Sequence, residues 1–584
     1  MKTGFPTQKP GQTGSALVLV LIMSAIALTI LAGVMNWAAN SNRLTHRSIQ
    51  YTRSVAAAEA ATEKVESQIT RDFLSGGEAL VSQNLNTYRQ IVPLSSDSSY
   101  WNTWVFDDGN GNLNRTYVQG VPGTSYTVLD APYTGLKGYV STYTVVSHAR
   151  DTASIQDVTA GVLQQLQLTR IPIFQFGMYS SGNMEISCGQ PFDITGHVHS
   201  NGKLYVEPDN AMKFESDVTA VVAALFQRDP LDTRGPPAGG VVYVQTNSPS
   251  FPVPALTLPI GMTNTPEAIR EIIEPPPTGE NPNSPLGRLR YYNESDMVLV
   301  VSNSSITAKS GYLVDNFATR IPTNEVALFV STNLSFWDGR EGKTVRPIDI
   351  NIGSLKTWSQ TNSILHNAFT SAGRSPSYIM NSIYVVDNRT LPATSLGAVR
   401  VWNGLQLPTN GLTVATGRPL YVWKDYNAPI LGSTNTSTTQ PASLVADAIT
   451  ILSDGWHDNY GTSLHDALAT TVNAAFLTGV VETTQGQYSG GMENFPRFLE
   501  TWTGIKFTYN GSMVKMFPSL YATNVWEGIG YHTHYYDPPV RNWAYDTEFD
   551  TKNGLPPYTP SFLTVERHKW ATVPAGTNVA AAFP

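Results

Sequence analysis

From Ala16 to Trp37 the chain runs 22 residues, ALVLVLIMSAIALTILAGVMNW, without one charged side chain. As a helix rising 1.5 Å per residue it is about 33 Å long, enough to cross the hydrocarbon core of a bilayer. The apolar stretch of a cleaved secretory signal runs roughly 7–15 residues, so this one is too long for that role alone. The small residues at Ala38 and Ala39 leave signal-peptidase processing open as an alternative. Ahead of the span, MKTGFPTQKPGQTG carries Lys2 and Lys9 and no acid, while Arg43, Arg47 and Arg53 follow it. Basic residues on both sides leave the orientation unassigned by charge.

Helical sequence continues past the span. RLTHRSIQYTRSVAAAEAATEKVESQITRDFLSGG has no Pro, and no Gly before Gly76, and Leu44, Val55, Val65, Ile69 and Phe73 recur at roughly helical intervals. A helix over residues 15–75, stopped at Gly76, is predicted. It would be about 90 Å long, half apolar and half amphipathic. A simple membrane anchor has no need of the second half, whereas a subunit packed beside others in a fibre does.

The juncture TGSALVLVLIM, with Gly14 before a cut and Ser15 as a new N-terminus, resembles a prepilin (type III) signal. AAAEAATEKVE around Glu59 resembles the AAEA pattern that follows the span in PilX-type minor pilins of type IV pilus systems. The resemblance covers about residues 1–75. It implies processing at Gly14–Ser15 by a prepilin peptidase, a stay in the inner membrane as a single-pass protein, and then a place at the cell surface or pilus tip beside other pilin subunits. Major pilins carry Glu at the fifth mature position, where it meets a neighbouring subunit's N-terminal amine; here that position is Leu19. The departure resembles PilX-type and tip pseudopilins and sets repeated incorporation along a shaft in doubt.

The rest of the chain reads as β structure. Charged residues are 14% of the total, against roughly 25% in ordinary soluble domains, and 27 Tyr and 12 Trp accompany 46 Gly and 38 Pro. That balance suits a turn-rich β fold outside the cytoplasm. The expected fold is α+β: a long N-terminal helix, then a large, mainly β head of solenoid or β-roll type. Residues 76–170 are assigned to a small β-rich connecting unit in which 153–174 could be strand or helix, and 171–529 to the main head, where short strands alternate with Gly/Asn corners. A Pro-rich insertion lies near 228–289, with one short helix started by Thr265 and Pro266 and stopped by Pro275. Residues 530–584 read as an irregular C-terminal wrap. With net charge −8 the chain offers no field for nucleic acid, and a lone Cys188 allows no internal disulfide.

Several clusters carry possible chemistry. His197 with His199, and His532 with His534, alternate on strands and could pool four imidazoles around a metal, with Asp537 assisting. Histidines satisfied by nearby turns are the simpler reading, and no cofactor or metal is expected. Cys188 reads as a small buried residue rather than a nucleophile. Asp338, Arg340 and Glu341 in FWDGREGKT could form an acid pair for glycoside cleavage, but a turn salt bridge explains them more simply. GREGKT lacks phosphate-loop spacing. Tyr384, Trp402, Tyr421 and Trp423 form either an aromatic stripe for sugars or core packing. Without a catalytic set, a non-enzymatic minor pilin that primes, caps or presents an adhesive head is expected, with a surface or polysaccharide ligand. The alternative is a membrane-anchored β-solenoid that binds or cleaves polysaccharide.

Overall fold

The computed structural model of the chain describes residues 14–120, 125–130, 133–310, 319–528, 534–577 and 579–582. An N-terminal helix spans Gly14–Gln83, interrupted at Gly77, whose φ of 67° is open to a residue without a Cβ. The break falls one residue past the expected stop. From Ser15 to Ile49 the helix stands clear of the rest of the molecule, only Ala38 being partly covered. From Gln50 onward one stripe is buried: Ser54, Ala57, Ala58, Ala61, Val65, Ile69 and Phe73. These positions fall three and four apart, on one face of a helix.

That stripe packs on an antiparallel sheet in the order Trp104–Asp107, Lys137–Asp151, Thr159–Pro172, Ser561–Val573. The segment left open between strand and helix is therefore the strand Thr159–Pro172. It faces Lys137–Asp151 in antiparallel register, Val145 opposite Gln164. The C-terminal part of the chain is not an irregular wrap. Its 13-residue strand Ser561–Val573 completes the sheet, Leu563 opposite Arg170. Alternation was hard to read there because Arg567, His568, Lys569 and Trp570 lie exposed along an outer strand. Nor does the expected boundary between residues 75 and 76 separate folding units. Val65, Ile69 and Phe73 share a core with Tyr143, Leu166, Leu168 and Leu563, and with Val81 the helix supplies four of the eleven buried residues of that core.

The larger part of the head is a parallel β-solenoid. One row of inward side chains runs in register through nine strands: Met297, Ile383, Val414, Leu444, Phe476, Met513, Met178, Val198 and Val218. All nine are buried in one core. A second sheet faces it with rows such as Ile350, Val401, Val422, Ile451 and Phe498. At one corner Asn427, Asn473 and Asn510 stack. The Asn510 amide donates to Asn473 Oδ1 at 2.7 Å, and the Asn473 amide donates to the Asn427 carbonyl at 2.9 Å. Buried corner backbone thus finds partners in side-chain amides. Helix Ser363–Ser371, capped by Asn362, packs on the antiparallel strands Ile306–Ser310 and Thr319–Ile321 and closes one end.

Coil length explains why no fixed repeat is visible in the sequence. Partners Val414 and Leu444 are 30 residues apart and Phe476 and Met513 are 37, but Met178 and Val198 are only 20. The stack is also closed out of chain order. Phe176–Ser180 begins a run of short coils leading outward; the chain then crosses to the other end, and long coils return until Met513–Pro518 pairs with Phe176–Ser180. The crossing segment is the Pro-rich insertion. Its Leu256, Leu258, Ile260, Ile269, Ile272 and Ile273 cover the outward face of the sheet over Val298, Tyr384, Val445, Leu477 and Val514. The expected helix is present as Pro266–Arg270, with the Thr265 hydroxyl accepting from the Ala268 amide.

Candidate functional site

The helix divides into two working halves. In the first, Leu17, Leu19, Leu28 and Trp37 are each more than three-fifths exposed, and an 18-residue window there is apolar enough to cross a membrane. Gly14 and Ser15 begin the helix, and Ser15 is exposed. No carboxylate precedes Glu59 anywhere in the chain. Leu19 and its neighbours therefore offer no acid to a nearby amine, and the only charges between span and head are Arg43, Arg47 and Arg53.

The second half is occupied by the head. Ala57, Ala58 and Ala61 are buried against Trp104, Phe106, Ala149 and Val162, their small size bringing helix and sheet close together. Arg567 on the C-terminal strand donates from Nε to Glu66 Oε1 at 2.8 Å and from Nη2 to Glu63. Burial raises the Glu66 carboxyl above the usual range, and the Arg567 guanidinium offsets part of that rise. The alanine-rich segment thus binds the chain's own sheet, and the side open to neighbouring molecules is the half before Gln50.

The histidines do not gather. His199 is fully buried, with Nδ1 2.8 Å from Thr219 Oγ1 and Nε2 3.0 Å from Asn201 Oδ1, stacked on Tyr179. Burial lowers its pKa to about 4. His534 lies exposed, 2.9 Å from Asp537, and His532 falls outside the described residues. Among the described residues, no three His, Cys, Asp or Glu side chains are placed to share a metal. Cys188 is buried, and burial pushes its thiol up to about 12, which leaves it protonated and unreactive.

The FWDG turn is an interior network. Asp338 accepts from the Tyr421 hydroxyl at 2.6 Å and from the Glu341 amide at 2.8 Å. Glu341 takes Arg497 Nη1 at 2.6 Å and the Thr523 amide at 3.1 Å. All of these except Thr523 are at most 5% exposed. The turn gave Asp338, Arg340 and Glu341 from sequence; Arg497 lies 156 residues further on and no local pattern reveals it. Of the aromatic stripe, Tyr384 and Tyr421 are core residues, while Trp402 and Trp423 are half-buried neighbours with ring centroids 5.7 Å apart.

No protein-family model matches the chain, and no curated protein matches it. Among solved structures, the competence-associated pilin ComZ from Thermus thermophilus aligns over 90% of this chain and 98% of its own, at 9% identity and a TM-score of 0.26.

Proposed function

We propose that this protein is a pilin-like structural subunit, held by Ala16–Trp37 in a membrane before assembly and in the core of a surface fibre afterwards. The observation that carries the reading is the helix itself. Its span Ala16–Trp37 is exposed and apolar, and its second half packs into a core shared with the head's sheet. Apolar surface on that scale is stable only in lipid or against other apolar helices. A helix packed into the head's core also fixes the head's orientation on the span, which a flexible tether does not. Cleavage between Gly14 and Ser15 leaves the span intact, and Ser15 is exposed in the first turn of the helix.

The role is structural rather than catalytic, at the tip or in the initiating complex of a fibre. A head of some 500 residues on one helix is too wide to repeat at the close spacing of packed helices. Leu19 also provides no carboxylate for a neighbour's amine, and an unpaired charge inside an apolar core is costly. At a tip that demand is absent. The test is immunogold labelling and quantitative proteomics of sheared fibres. The reading requires label at ends and a copy number far below the major subunit; continuous labelling along the shaft refutes the tip role.

A further inference from the structure

The solenoid is finished differently at its two ends. The end carrying Ile306–Ser310 and Thr319–Ile321 is closed by the helix Ser363–Ser371. The other stops at a coil made of Val218–Ala220, Ala223–Leu225 and Val241–Tyr243, each the outermost strand of its sheet. Ser250 bridges Thr219 and begins a further turn. Ala223–Leu225 and Val241–Tyr243 have no strand beyond them among the described residues.

The ladder decides which backbone groups are left open. The Met212 amide donates to the Gly240 carbonyl and the Val244 amide to the Phe214 carbonyl, both at 2.9 Å. Successive residues of a strand turn their backbone groups to opposite sides. Gly240, Val242 and Val244 therefore face Met212–Phe214, and Val241 and Tyr243 face the open edge. The interior is uncovered too. Ala224, Val241 and Tyr243 pack on the solenoid core yet are only partly buried, whereas Met212 and Phe214, one coil deeper, are buried. Open edges are ordinarily blunted by charge, by Pro or by a covering helix. Neither strand contains Pro or a charged residue, and residues 218–227 and 235–266 carry no charge at all. Val222, Phe226, Val242, Val244 and Phe251 are each about half exposed. They offer apolar surface on the order of 500 Å² per copy, and two such surfaces reach the roughly 1,000 Å² of a specific contact.

The shape of the end selects its partner. A helix cannot pair with the open backbone of Val241 and Tyr243, and one added strand covers a single edge. Another coil end covers both edges and the interior between them. Because coils climb as they wind, the open end is a ramp, with Val241–Tyr243 between Ala223–Leu225 and the stretch that reaches Ser250. A ramp maps onto itself under a two-fold axis lying in its end plane, and its strands then meet antiparallel. With the axis at Val242, Val241 faces the copy's Tyr243 as a hydrogen-bonded pair, which uses the groups the ladder leaves open. Val242 faces its own counterpart as a non-hydrogen-bonded pair, about 4.5 Å apart at Cα. We infer that two copies of this protein join through these coil ends, Val241–Tyr243 pairing with itself about a two-fold axis so that the two solenoids run on as one. Uncharged ends bring no repulsion between identical copies. The contact belongs to the head and not to the span, so its failure leaves the fibre reading untouched.

The test is sedimentation velocity of the full-length, detergent-solubilised protein at concentrations up to about 100 µM, ample for a contact of this size. The protein mass should double as concentration rises. Val242→Glu sets two carboxylates face to face and should raise the dissociation constant by about tenfold or more. Its site is 56% exposed, so the melting temperature should stay within a few degrees of the parent's. A parent that remains monomeric overturns the proposal and leaves the edge to a strand of another protein. A dimer indifferent to Val242→Glu is held through its spans and overturns it equally. Cross-linking gives a second measurement. Paired Cα atoms about 4.5 Å apart lie within disulfide reach, so oxidised Val242→Cys should yield a covalent dimer. Ile155→Cys, at a site 99% exposed, should yield little. Cys188 is buried with its thiol pushed up to about 12 and adds no background. Equal cross-linking at the two sites overturns the two-fold pairing.

Discussion

Truncating Phe73 to alanine tests whether the helix is part of the head's core or only its stalk. Phe73 is fully buried, in one cluster with Val65, Ile69, Tyr143, Leu166, Leu168 and Leu563. Phe→Ala at such a site costs about 3–5 kcal/mol, from lost transfer energy and the cavity left behind. Single domains are stable by about 5–15 kcal/mol, so the sheet unit should be brought close to unfolding. Leu19→Ala removes an aliphatic side chain that is 64% exposed and should change head stability by less than about 0.5 kcal/mol. The assay is urea unfolding of the detergent-solubilised protein, followed by hydrogen exchange in the strands Lys137–Asp151, Thr159–Pro172 and Ser561–Val573. Exchange separates this unit from the solenoid, which should keep its protection. If Phe73→Ala costs no more than Leu19→Ala, the helix is a stalk and the argument for a rigid continuation fails.

A fragment beginning at Asn42 should be soluble and unfold cooperatively, whereas one beginning at Thr87 should lose protection in the same three strands; equal behaviour of the two would contradict the shared core. His199 is held at about pKa 4 by burial, against about 6.5 unfolded, so the unfolded chain binds the extra proton and stability falls as pH drops from about 6.5 to about 4. The parent should lose about 3 kcal/mol more across that window than His199→Gln, measured by denaturant midpoints at each pH; buried acids such as Glu500, raised to about 7, act in the opposite sense and cancel in the comparison. Glu341→Gln leaves the buried Arg497 without its counter-charge and should cost about 3–5 kcal/mol in thermal or urea unfolding, while Glu341→Gln with Arg497→Met should recover part of that loss; no recovery would mean the pair is not coupled.

How much of this was legible in the sequence depended on the range of the interactions. The apolar span, the break at Gly77 and the Thr265–Pro266 helix start are local, and local propensity decided them. The strand Thr159–Pro172 was ambiguous because its alternation is imperfect, with Leu163 and Gln164 both buried. The solenoid texture showed in short strands and Gly/Asn corners, but its order did not. Stacking Met513 on Met178 joins residues 335 apart in the chain, and coils that vary in length by nearly a factor of two have no period to detect. The alanine-rich segment was read as a surface for neighbouring subunits, when its partner is a sheet finished by Ser561–Val573 from the far end of the chain. The contacts of Glu493 with Ser187 and Arg541 were invisible for the same reason, since the three residues come from distant stretches that only the closed stack brings together.

The central proposal is that the chain is cut between Gly14 and Ser15 and that the span is carried intact into a surface fibre. The most direct measurement is the N-terminal peptide of the protein recovered from sheared fibres, identified by mass spectrometry. The account predicts a chain beginning at Ser15 in the fibre fraction, with Ala16–Trp37 retained. A chain beginning near Asn40, or one found only in the membrane with residues 1–14 still attached, would contradict it.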